Sequence, residues 1–514
     1  MLRFQGTLLV ASIVVLLSMG LLYDAVHKGF IPRQDTGVIN GNTRAREGTP
    51  FDKMVAMQKV VAETIRKNPN VEAVMSTAGQ GTGGDNSPNV GRLIIKLKPR
   101  GERTIGADEV IQQLRREVAA ANQSLVMFLS NPPAIRVGGT VSNSDYVFTL
   151  TSSELTQLYG PAQEMEARLR TLPLLQDVST NLQLRNPEIQ LNIMRDRASA
   201  LGIASQQIEL ALFNAFGGRR ISTLMGSSDQ YDVRFEVDRR YQADTNAMES
   251  IYIQAPNASG GAMVPLSAVA EIKTGVGPIS VAHSGQLPAV VLSFNLAPGV
   301  SVGDAVIAVK DLAAEVLPPT ITSSFAGSAK AFEAAFRSLP VLLAITVLLI
   351  YIILAILYEH YGYPLAILTA LPFAGFGALL TLLVFGEELN IFSFVGIILL
   401  IGLVKKNGIM MVDFALQMQR EQNMEPSAAM VEACKVRFRP IMMTTMAAII
   451  ATLPIALGYG AGAETRRPLG IAVVGGLVFS QFLTLYVTPV FYVTMNRFQK
   501  FVFRKRGDVA TTKV

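Results

Sequence analysis

The residues most able to do chemistry lie inside an apolar stretch. Residues 391–417 read IFSFVGIILLIGLVKKNGIMMVDFALQ and carry Lys405, Lys406 and Asn407. A lysine at the bilayer centre costs about 2.5–3.5 kcal/mol on insertion scales, so it should face a helix bundle or a wet cavity and meet a carboxylate. The stretch therefore predicts a charge-pairing site within a membrane. The alternative is that both lysines mark the cytoplasmic end of a short span and extend into the headgroups.

A second polar group opens another apolar stretch, RFRPIMMTT at 437–445. Arg437 and Thr444 are seven residues apart and share a helix face. If that face meets Lys406, the cluster holds two cations and a hydroxyl but no carboxylate. Asp413 is an acidic candidate, although it lies near the predicted membrane boundary. The alternative for Arg437, and our preferred reading for Arg439, is a basic anchor at the membrane surface.

The composition excludes several classes of protein. Half of the 514 residues are hydrophobic and 16% are charged, which is too apolar for a wholly soluble chain. The net charge of +6 is spread along the chain without a basic cluster interleaved with aromatics, so no nucleic-acid partner is predicted. The single Cys434 excludes an internal disulfide, and the three histidines are isolated, so no metal site is predicted. No GxxxxGK[ST] loop for nucleotide hydrolysis occurs.

Six apolar stretches approach the length of a membrane-spanning helix. The first, residues 7–23, lacks a signal-peptidase site and is predicted to remain as a span. The other five are 337–357, 364–385, 391–415, 440–458 and 469–493. The predicted inner segments 417–439 and 497–514 hold ten arginines and lysines, whereas the predicted outer loops hold only Arg466 and Arg467. Both termini are therefore predicted to be cytoplasmic.

Residues 30–330 contain no run of spanning length and alternate between strand and helix patterns. The first part predicts the order βαββαβ, with Thr49 as the N-cap of a helix over 50–67. Glycines interrupt the pattern after the second strand, at Gly79, Gly81, Gly83 and Gly84, and predict a mobile loop. An ordinary loose connection is the alternative.

A second βαβ pattern begins at residue 145 and resumes at 289, so residues 183–285 are predicted to be an insertion. The insertion holds a predicted helix at 198–214 and a loop with four prominent residues: Gly217, Gly218, Arg219 and Arg220. A long insertion of this kind is usually a contact surface, with a decoration that has no partner as the alternative.

The whole chain resembles the resistance-nodulation-division efflux pumps of bacterial inner membranes, most closely the heteromeric multidrug members of the hydrophobe/amphiphile branch. The stretches that carry the resemblance are KGFIPRQDTG (28–37), NPPAIRVGG (131–139), GIILLIGLVKKNGIMMVDFA (396–415), RFRPIMMTT (437–445), GAETRRPLG (462–470) and VTPVFY (487–492). Family members have two similar halves, each with one span, a large periplasmic loop and five further spans. This chain resembles the C-terminal half.

The resemblance implies a proton relay, with protons as the coupling ion and no other cofactor. In the family, two aspartates of the N-terminal half act with a lysine, an arginine and a threonine, which match Lys406, Arg437 and Thr444 here, with Asn407 beside the lysine. The matching aspartates are absent from this sequence. The relay therefore requires an N-terminal-half segment or subunit with an intramembrane aspartate pair.

The resemblance also implies an α+β membrane protein with ferredoxin-like porter subdomains. The implied regions are a first span at 1–29, porter subdomains at 30–137 and at 138–182 plus 286–328, a docking insertion at 183–285, a five-helix bundle at 329–496 and a basic cytoplasmic tail at 497–514. The loop of Gly79 to Gly84 resembles one that separates two drug pockets, and Phe128 is the nearest matching aromatic residue.

The function implied is secondary active transport, proton/drug antiport, rather than enzymatic catalysis. The implied partners are a homo- or heterotrimer, a periplasmic adaptor, an outer-membrane channel and hydrophobic drugs. The alternatives are a lipid- or protein-export relative of the same architecture and an inactive split or truncated half. Metal efflux is a weaker alternative, because core packing explains the scattered methionines.

Overall fold

The computed structural model describes residues 5–32, 34–81, 87–132, 142, 144–242, 246–256, 261–460 and 462–510. The chain divides into two compact units, Met1–Leu182 with Val281–Val514, and Gln183–Ser280. The fold is mixed α and β with several long apolar helices, as the sequence predicts. Two predicted features fall partly outside the described residues: the glycine-rich loop, at Gly83 and Gly84, and the motif and subdomain boundary within 133–139.

The first unit begins with helix α1 (Gln5–Ala25), which is apolar all round and whose only buried residue is Ser12. A four-stranded antiparallel sheet with two helices follows. Its elements are β1 (Val38–Ala45), α2 (Phe51–Arg66), β2 (Val71–Ala78), β3 (Val90–Leu97), α3 (Ala107–Ala121) and β4 (Leu125–Ser130). The strand order is β2-β3-β1-β4.

The two helices share one core with the sheet because their apolar residues recur every three or four positions. Met54, Val61 and Ile65 of α2 are fully buried, as are Val110 and Leu114 of α3. The predicted N-cap at Thr49 is wrong. Pro50 takes the cap position without a side-chain hydrogen bond, and the Thr49 hydroxyl donates to the Arg46 carbonyl at 2.7 Å.

The chain next forms β5 (Tyr146–Thr151), α4 (Leu155–Thr171) and β6 (Leu175–Thr180), and then enters the second unit. The elements of that unit are β7 (Asn186–Ile193), α5 (Arg195–Ala200), α6 (Ser205–Phe216), β8 (Arg219–Met225), β9 (Gln230–Phe235), α7 (Asn246–Glu249), β10 (Tyr252–Gln254), β11 (Met263–Pro265) and β12 (Ala270–Gly277). The antiparallel pairs are β7 with β12, β8 with β9, and β10 with β11.

The single helix predicted at 198–214 is wrong, because the structure has α5 and α6 with a turn between them. Gly202 in that turn has a φ of 72°. A glycine in this left-handed conformation ends a helix, which explains the break.

Back in the first unit, the chain adds β13 (His283–Ser284), β14 (Leu287–Leu296), α8 (Val302–Val316) and β15 (Thr322–Ala326). The second sheet has the order β13-β14-β5-β15, with β6 also paired to β14. Its core joins α4 and α8 to the strands through buried residues such as Leu158, Val309, Phe148 and Phe294.

The remaining helices are α9 (Gly327–Tyr358), α10 (Gly362–Leu368), α11 (Leu371–Val384), α12 (Ile391–Gln422), α13 (Pro426–Leu457) and α14 (Ala463–Ala510). With α10 and α11 counted as one span, six helices among the described residues are long and apolar enough to cross a membrane. The break between α10 and α11 precedes Pro372, whose missing N–H cannot continue the helix ladder.

Two predicted boundaries are wrong. The sequence predicts a connection over 417–439, whereas only residues 423–425 separate α12 from α13. The polar residues there, such as Gln417, Arg420 and Lys435, are good helix formers, so both helices continue past their apolar parts. Pro440 consequently lies inside α13 rather than at its start.

Helix α14 packs closely against α11 and α12 through small residues. A Cβ on Gly475 would lie 2.0 Å from the Thr381 hydroxyl, and one on Gly476 would lie 2.1 Å from the Leu400 side chain. Such close approach is how membrane helices gain packing energy without a hydrophobic driving force.

Candidate functional site

The central residues of α12 face different surroundings. Lys405 and Asn407 are buried, at 4% and 6% exposure, whereas Lys406 between them is exposed. Successive helix residues are turned by about 100°, so one lysine enters the bundle while the next lies on its surface. The prediction that Lys406 is the buried lysine of the site is wrong for this chain, because Lys405 lies inside the bundle instead.

Asn407 joins three helices. Its Nδ2 donates to the Thr445 hydroxyl of α13 and to the Gln481 side-chain oxygen of α14, both at 3.2 Å. Thr445 and Gln481 are buried, so this network fixes α12 against its neighbours. Sequence reasoning missed both residues, although a lone glutamine in the apolar stretch 469–493 is a signal that it had available.

Arg437 and Thr444 lie on α13 beside α12, and both are half-buried. The Arg437 guanidinium lies 4.8 Å from the centre of the Phe414 ring of α12. Phe414 follows Lys406 by eight residues, about 12 Å along the helix. The Thr444 hydroxyl donates to the Ile441 carbonyl at 3.2 Å. The predicted relay residues thus occupy one helix pair, and the structure shows no direct bond between Lys406 and Arg437.

The cations of this pair lack carboxylates within the described part of the chain. The Lys405 Nζ and the Arg437 Nε are buried without a hydrogen-bond partner there. Lys406 takes part in none of the ion pairs of the described residues. Asp413 is exposed and forms no ion pair with Lys406. The charge of the site is therefore not balanced by any described residue.

The predicted substrate-path residues surround the first sheet. Gly79 follows β2 with a φ of 74°, and a Cβ there would lie 2.8 Å from the Phe51 ring, so the position requires glycine. Gly81 lies in irregular structure, and Gly83 and Gly84 are outside the described residues. Phe128 of β4 is 5% exposed and does not belong to the core beneath α2 and α3.

The predicted docking residues lie in the second unit. Gly217 follows α6, Gly218 has a φ of 56°, and Arg219 and Arg220 begin β8. The hairpin of β8 and β9 exposes a set of large apolar side chains: Ile221, Leu224, Met225, Tyr231 and Phe235.

The first unit also contains a cavity of about 740 Å³ that sequence reasoning missed. Its lining combines apolar side chains, including Phe30, Tyr146 and Leu296, with carboxylates such as Asp108 and Glu464. No periodic pattern predicts it, because its walls come from segments far apart in the chain.

Two ion pairs border this cavity. Arg115 pairs with Asp177, and Arg467 pairs with Glu387 at 3.3 Å. Burial raises the pKa of both carboxyl groups, against the opposing effect of each arginine. Among the described residues, no group of three or more His, Cys, Asp or Glu side chains is arranged to hold a metal ion.

Comparison with known proteins gives one family. The sequence model of the AcrB/AcrD/AcrF family matches residues 1–496. Two crystal forms of a heavy metal efflux pump share the fold, with TM-scores of 0.84 and 0.83 at 24% and 25% identity. Each match covers 96% of this chain but 51% or 50% of the other, so the chain spans about half the length of these solved relatives. Because the family model covers nearly all of the chain, this is a multi-pass membrane protein of the AcrB/AcrD/AcrF family, the resistance-nodulation-division efflux permeases, which are transporters rather than enzymes.

Proposed function

We propose that the chain is the C-terminal half, or an equivalent subunit, of an efflux permease driven by the proton-motive force. It exports hydrophobic or amphiphilic drugs from the inner membrane or periplasm of a bacterium. One observation carries this proposal: Lys406 lies exposed halfway along the 32-residue helix α12, without a carboxylate partner among the described residues.

The position of Lys406 indicates where its counter-ion comes from. The surface of a helix bundle at this depth meets either lipid or another protein. An ammonium group is costly in lipid, so a carboxylate from a facing helix is the physically sensible partner. We assign this carboxylate to the aspartate pair of an N-terminal half, on the same or another polypeptide.

Protonation of that carboxylate supplies the driving step. A neutral carboxyl group no longer attracts Lys406, so α12 is free to shift relative to the partner half. Because Asn407 ties α12 to α13 and α14, the shift is shared by three helices. Arg437 and Thr444 are the other two members that the family resemblance assigns to this relay. Helix shifts of this kind are an established means of coupling.

The soluble region is connected so that it can follow the membrane helices. Strand β15 ends at Ala326 and helix α9 starts at Gly327, without a loop between them. Gly327 also forms a bridge with Tyr146 at the start of β5. We interpret residues 30–137 and residues 138–182 plus 286–328 as two ferredoxin-like porter subdomains, which change their access state when α9 moves.

The substrate class follows from the cavity and the resemblance. A lining of aromatic, aliphatic and carboxylate side chains suits amphiphilic compounds with a positive charge. We assign Gly79, Gly81, Gly83, Gly84 and Phe128 to the drug path. A second candidate is export of metal ions, which is supported by the printed description of the two solved relatives.

The second unit is proposed as the docking insertion. The exposed apolar side chains of β8 and β9 form a patch that favours a protein partner. We place Gly217, Gly218, Arg219 and Arg220 at this contact. The partners proposed are the other protomers of a homo- or heterotrimer, a periplasmic adaptor and an outer-membrane channel, with both termini of this chain in the cytoplasm.

The relay assignment is tested by Lys406→Ala in the assembled pump, in liposomes with an imposed pH gradient. Proton-coupled drug export is expected to fall roughly 100-fold, as when a proton-transfer group is removed. The matched control is Lys435→Ala on α13, an exposed lysine paired with Glu432 at 3.3 Å, which should leave export unchanged. Normal export by Lys406→Ala removes the relay assignment.

The substrate class is tested in the same liposomes. A fluorescent amphiphilic cation should be exported and should accelerate proton flux, whereas Zn²⁺ or Cu⁺ should not. Flux stimulated by the metal ions alone would replace the drug proposal with metal export.

A further inference from the structure

Side chains with hydrogen-bonding groups recur at every fourth position along part of α14. Ser480, Thr484, Thr488, Tyr492 and Asn496 follow one another at intervals of four residues. Each step of four residues turns by about 40°, so each member lies about one turn from the next and the set winds around the helix. The first four are almost completely buried, and the stripe extends over about 24 Å of helix axis. We name these five residues the α14 stripe.

Several hydroxyl groups elsewhere in the bundle are satisfied by their own helix. Thr381, Thr452 and Thr494 each donate to a carbonyl four residues earlier, at 2.9, 3.0 and 2.7 Å. This local bond lets a threonine sit in an apolar helix bundle at little cost. Thr494 shows that α14 itself allows the arrangement.

The hydroxyls of the α14 stripe behave differently. Those of Ser480 and Thr484 lie 3.1 Å apart and bond to each other. The Thr488 hydroxyl is fully buried and has no partner among the described atoms. Burying a hydroxyl without a hydrogen bond is unfavourable in proteins. The stripe therefore presents hydrogen-bonding groups to the bundle interior rather than to its own backbone.

The two ends of the α14 stripe lie beside different groups. Next to Ser480 is Gln481, which accepts a hydrogen bond from Asn407, the neighbour of Lys406. At the other end, Asn496 accepts from the Tyr363 hydroxyl at 3.5 Å, and its own Nδ2 is buried without a described partner. The following residue, Arg497, is exposed. The stripe thus runs from the candidate site to an exposed end of the bundle.

We infer that the α14 stripe is a hydrated route for protons between the Asn407 network and the Asn496 end of the bundle. This inference rests on the proposed proton coupling at Lys406. A hydroxyl donates one hydrogen bond and accepts two, so it can take a proton on a lone pair while its own proton passes to the next acceptor. Each hydroxyl and each bridging water ends neutral, and one proton has moved along the chain of groups.

Hydration is tested by cysteine labelling in membranes containing the full chain. Cys434→Ser removes the only native cysteine, and Thr484→Cys, Thr488→Cys or the control Val490→Cys is then added. Val490 is fully buried on the same helix but lies off the stripe. Thr484→Cys and Thr488→Cys should react with a small water-soluble methanethiosulfonate at least about ten-fold faster than Val490→Cys. The reason is that a thiol reacts as its thiolate, and a thiol in apolar surroundings is inert. Equal, slow reaction of all three overturns the inference.

Proton conduction is tested in the assembled pump with Thr488→Val, which removes the hydroxyl and keeps the shape. Coupled proton flux should fall about ten-fold in Thr488→Val, because a chain of hydrogen-bond donors and acceptors is interrupted where a hydroxyl is missing. Thr488→Ser should restore the flux, and Thr494→Val should leave it unchanged. Unchanged flux in Thr488→Val overturns the route even if the position is labelled. Labelling requires no transport, so it stands or falls independently of the Lys406 experiment.

Discussion

The soluble part of the first unit and the membrane bundle treat buried charge in opposite ways. In the soluble part, Arg103 is 1% exposed and donates two hydrogen bonds to Asp35, at 3.1 and 2.9 Å. Arg115 donates a single hydrogen bond to Asp177 and others to Gln176 and the Leu129 carbonyl. In the bundle, the Lys405 Nζ is buried without a hydrogen-bond partner among the described residues, and Arg437 forms no ion pair there. Arg103 and Arg115 thus each have a carboxylate partner within the chain, whereas Lys405 has none among the described residues.

This difference separates structural charge from functional charge. Removing one member of a buried pair leaves the other uncompensated, so breaking a soluble pair by substitution should destabilise the fold. A charge that has no partner contributes no stability, and its presence within a membrane helix points to function. The comparison can therefore be tested by measuring which substitutions change stability.

The largest expected effect is that of Asp35→Ala. Asp35 binds Arg103 and the backbone N–H groups of Gly37 and Ala107, so its loss should destabilise the first sheet by about 3–5 kcal/mol. Hydrogen exchange of the amides in β1 and β3 measures this. The control Glu72→Ala breaks an exposed pair with Lys96 and should cost less than about 1 kcal/mol. Equal losses would contradict the assignment of Asp35.

The next effect is that of Asn407→Leu, which leaves Thr445 and Gln481 without their bond to α12. Loss of a buried hydrogen-bond partner should cost about 1–3 kcal/mol. Thermal unfolding of the detergent-solubilised chain, followed by the helical circular dichroism signal, measures it. Thr452→Val is the control, because its hydroxyl bonds only within its own helix. A loss no larger than that of the control would mean that the network does not join the helices.

Lys405→Met should not lower the free energy of unfolding, unlike the two preceding substitutions. Replacing an unpaired buried amine by an apolar side chain of similar length should leave stability unchanged or raise it by about 1 kcal/mol, since no partner is abandoned. The same unfolding assay applies. A loss as large as that of Asp35→Ala would show that the chain itself balances the Lys405 charge, and the comparison would fail.

The smallest effects concern pH, and their signs differ between the two aspartates. Burial acts to raise the pKa of Asp35, but the hydrogen bonds from Arg103, Gly37 and Ala107 outweigh it and hold the pKa below the ordinary value. The stability that Asp35 contributes is present above its unfolded pKa of about 3.9 and is lost as pH falls through the folded pKa.

For Asp177, burial outweighs Arg115 and Asn295, so the pKa is raised. Its contribution is present below about pH 3.9 and is lost as pH rises through the folded pKa. Unfolding measured across this acid range should show that Asp35→Asn removes a rise of stability with pH, while Asp177→Asn removes a fall. The same sign for both variants would contradict one of the two environments.

The sequence predicts the soluble elements well because their residues follow clear periods. The helix spacing of Met54, Val61 and Ile65 matches the buried face of α2, and the split second sheet follows its predicted strands. The membrane helices are longer than predicted, since hydropathy reports the apolar part of a helix and not its polar continuation at Gln417 or Lys435.

The candidate site is less predictable. Lys405 and Lys406 both have apolar neighbours on every side, so no period tells which one enters the bundle. The partners of Asn407 depend on how α13 and α14 pack, which is tertiary information. The α14 stripe has a visible period of four, yet only the structure shows that its first four residues are buried and that the Thr488 hydroxyl lacks a local bond.

The most direct test of the central claim is to reconstitute this chain alone and with a chain carrying the N-terminal half, and to measure drug export driven by an imposed pH gradient. We predict no coupled export by this chain alone, export by the combined chains, and loss of export when the partner's intramembrane aspartates become asparagine. Coupled export by this chain alone would contradict the claim that the charges of its bundle are completed from outside.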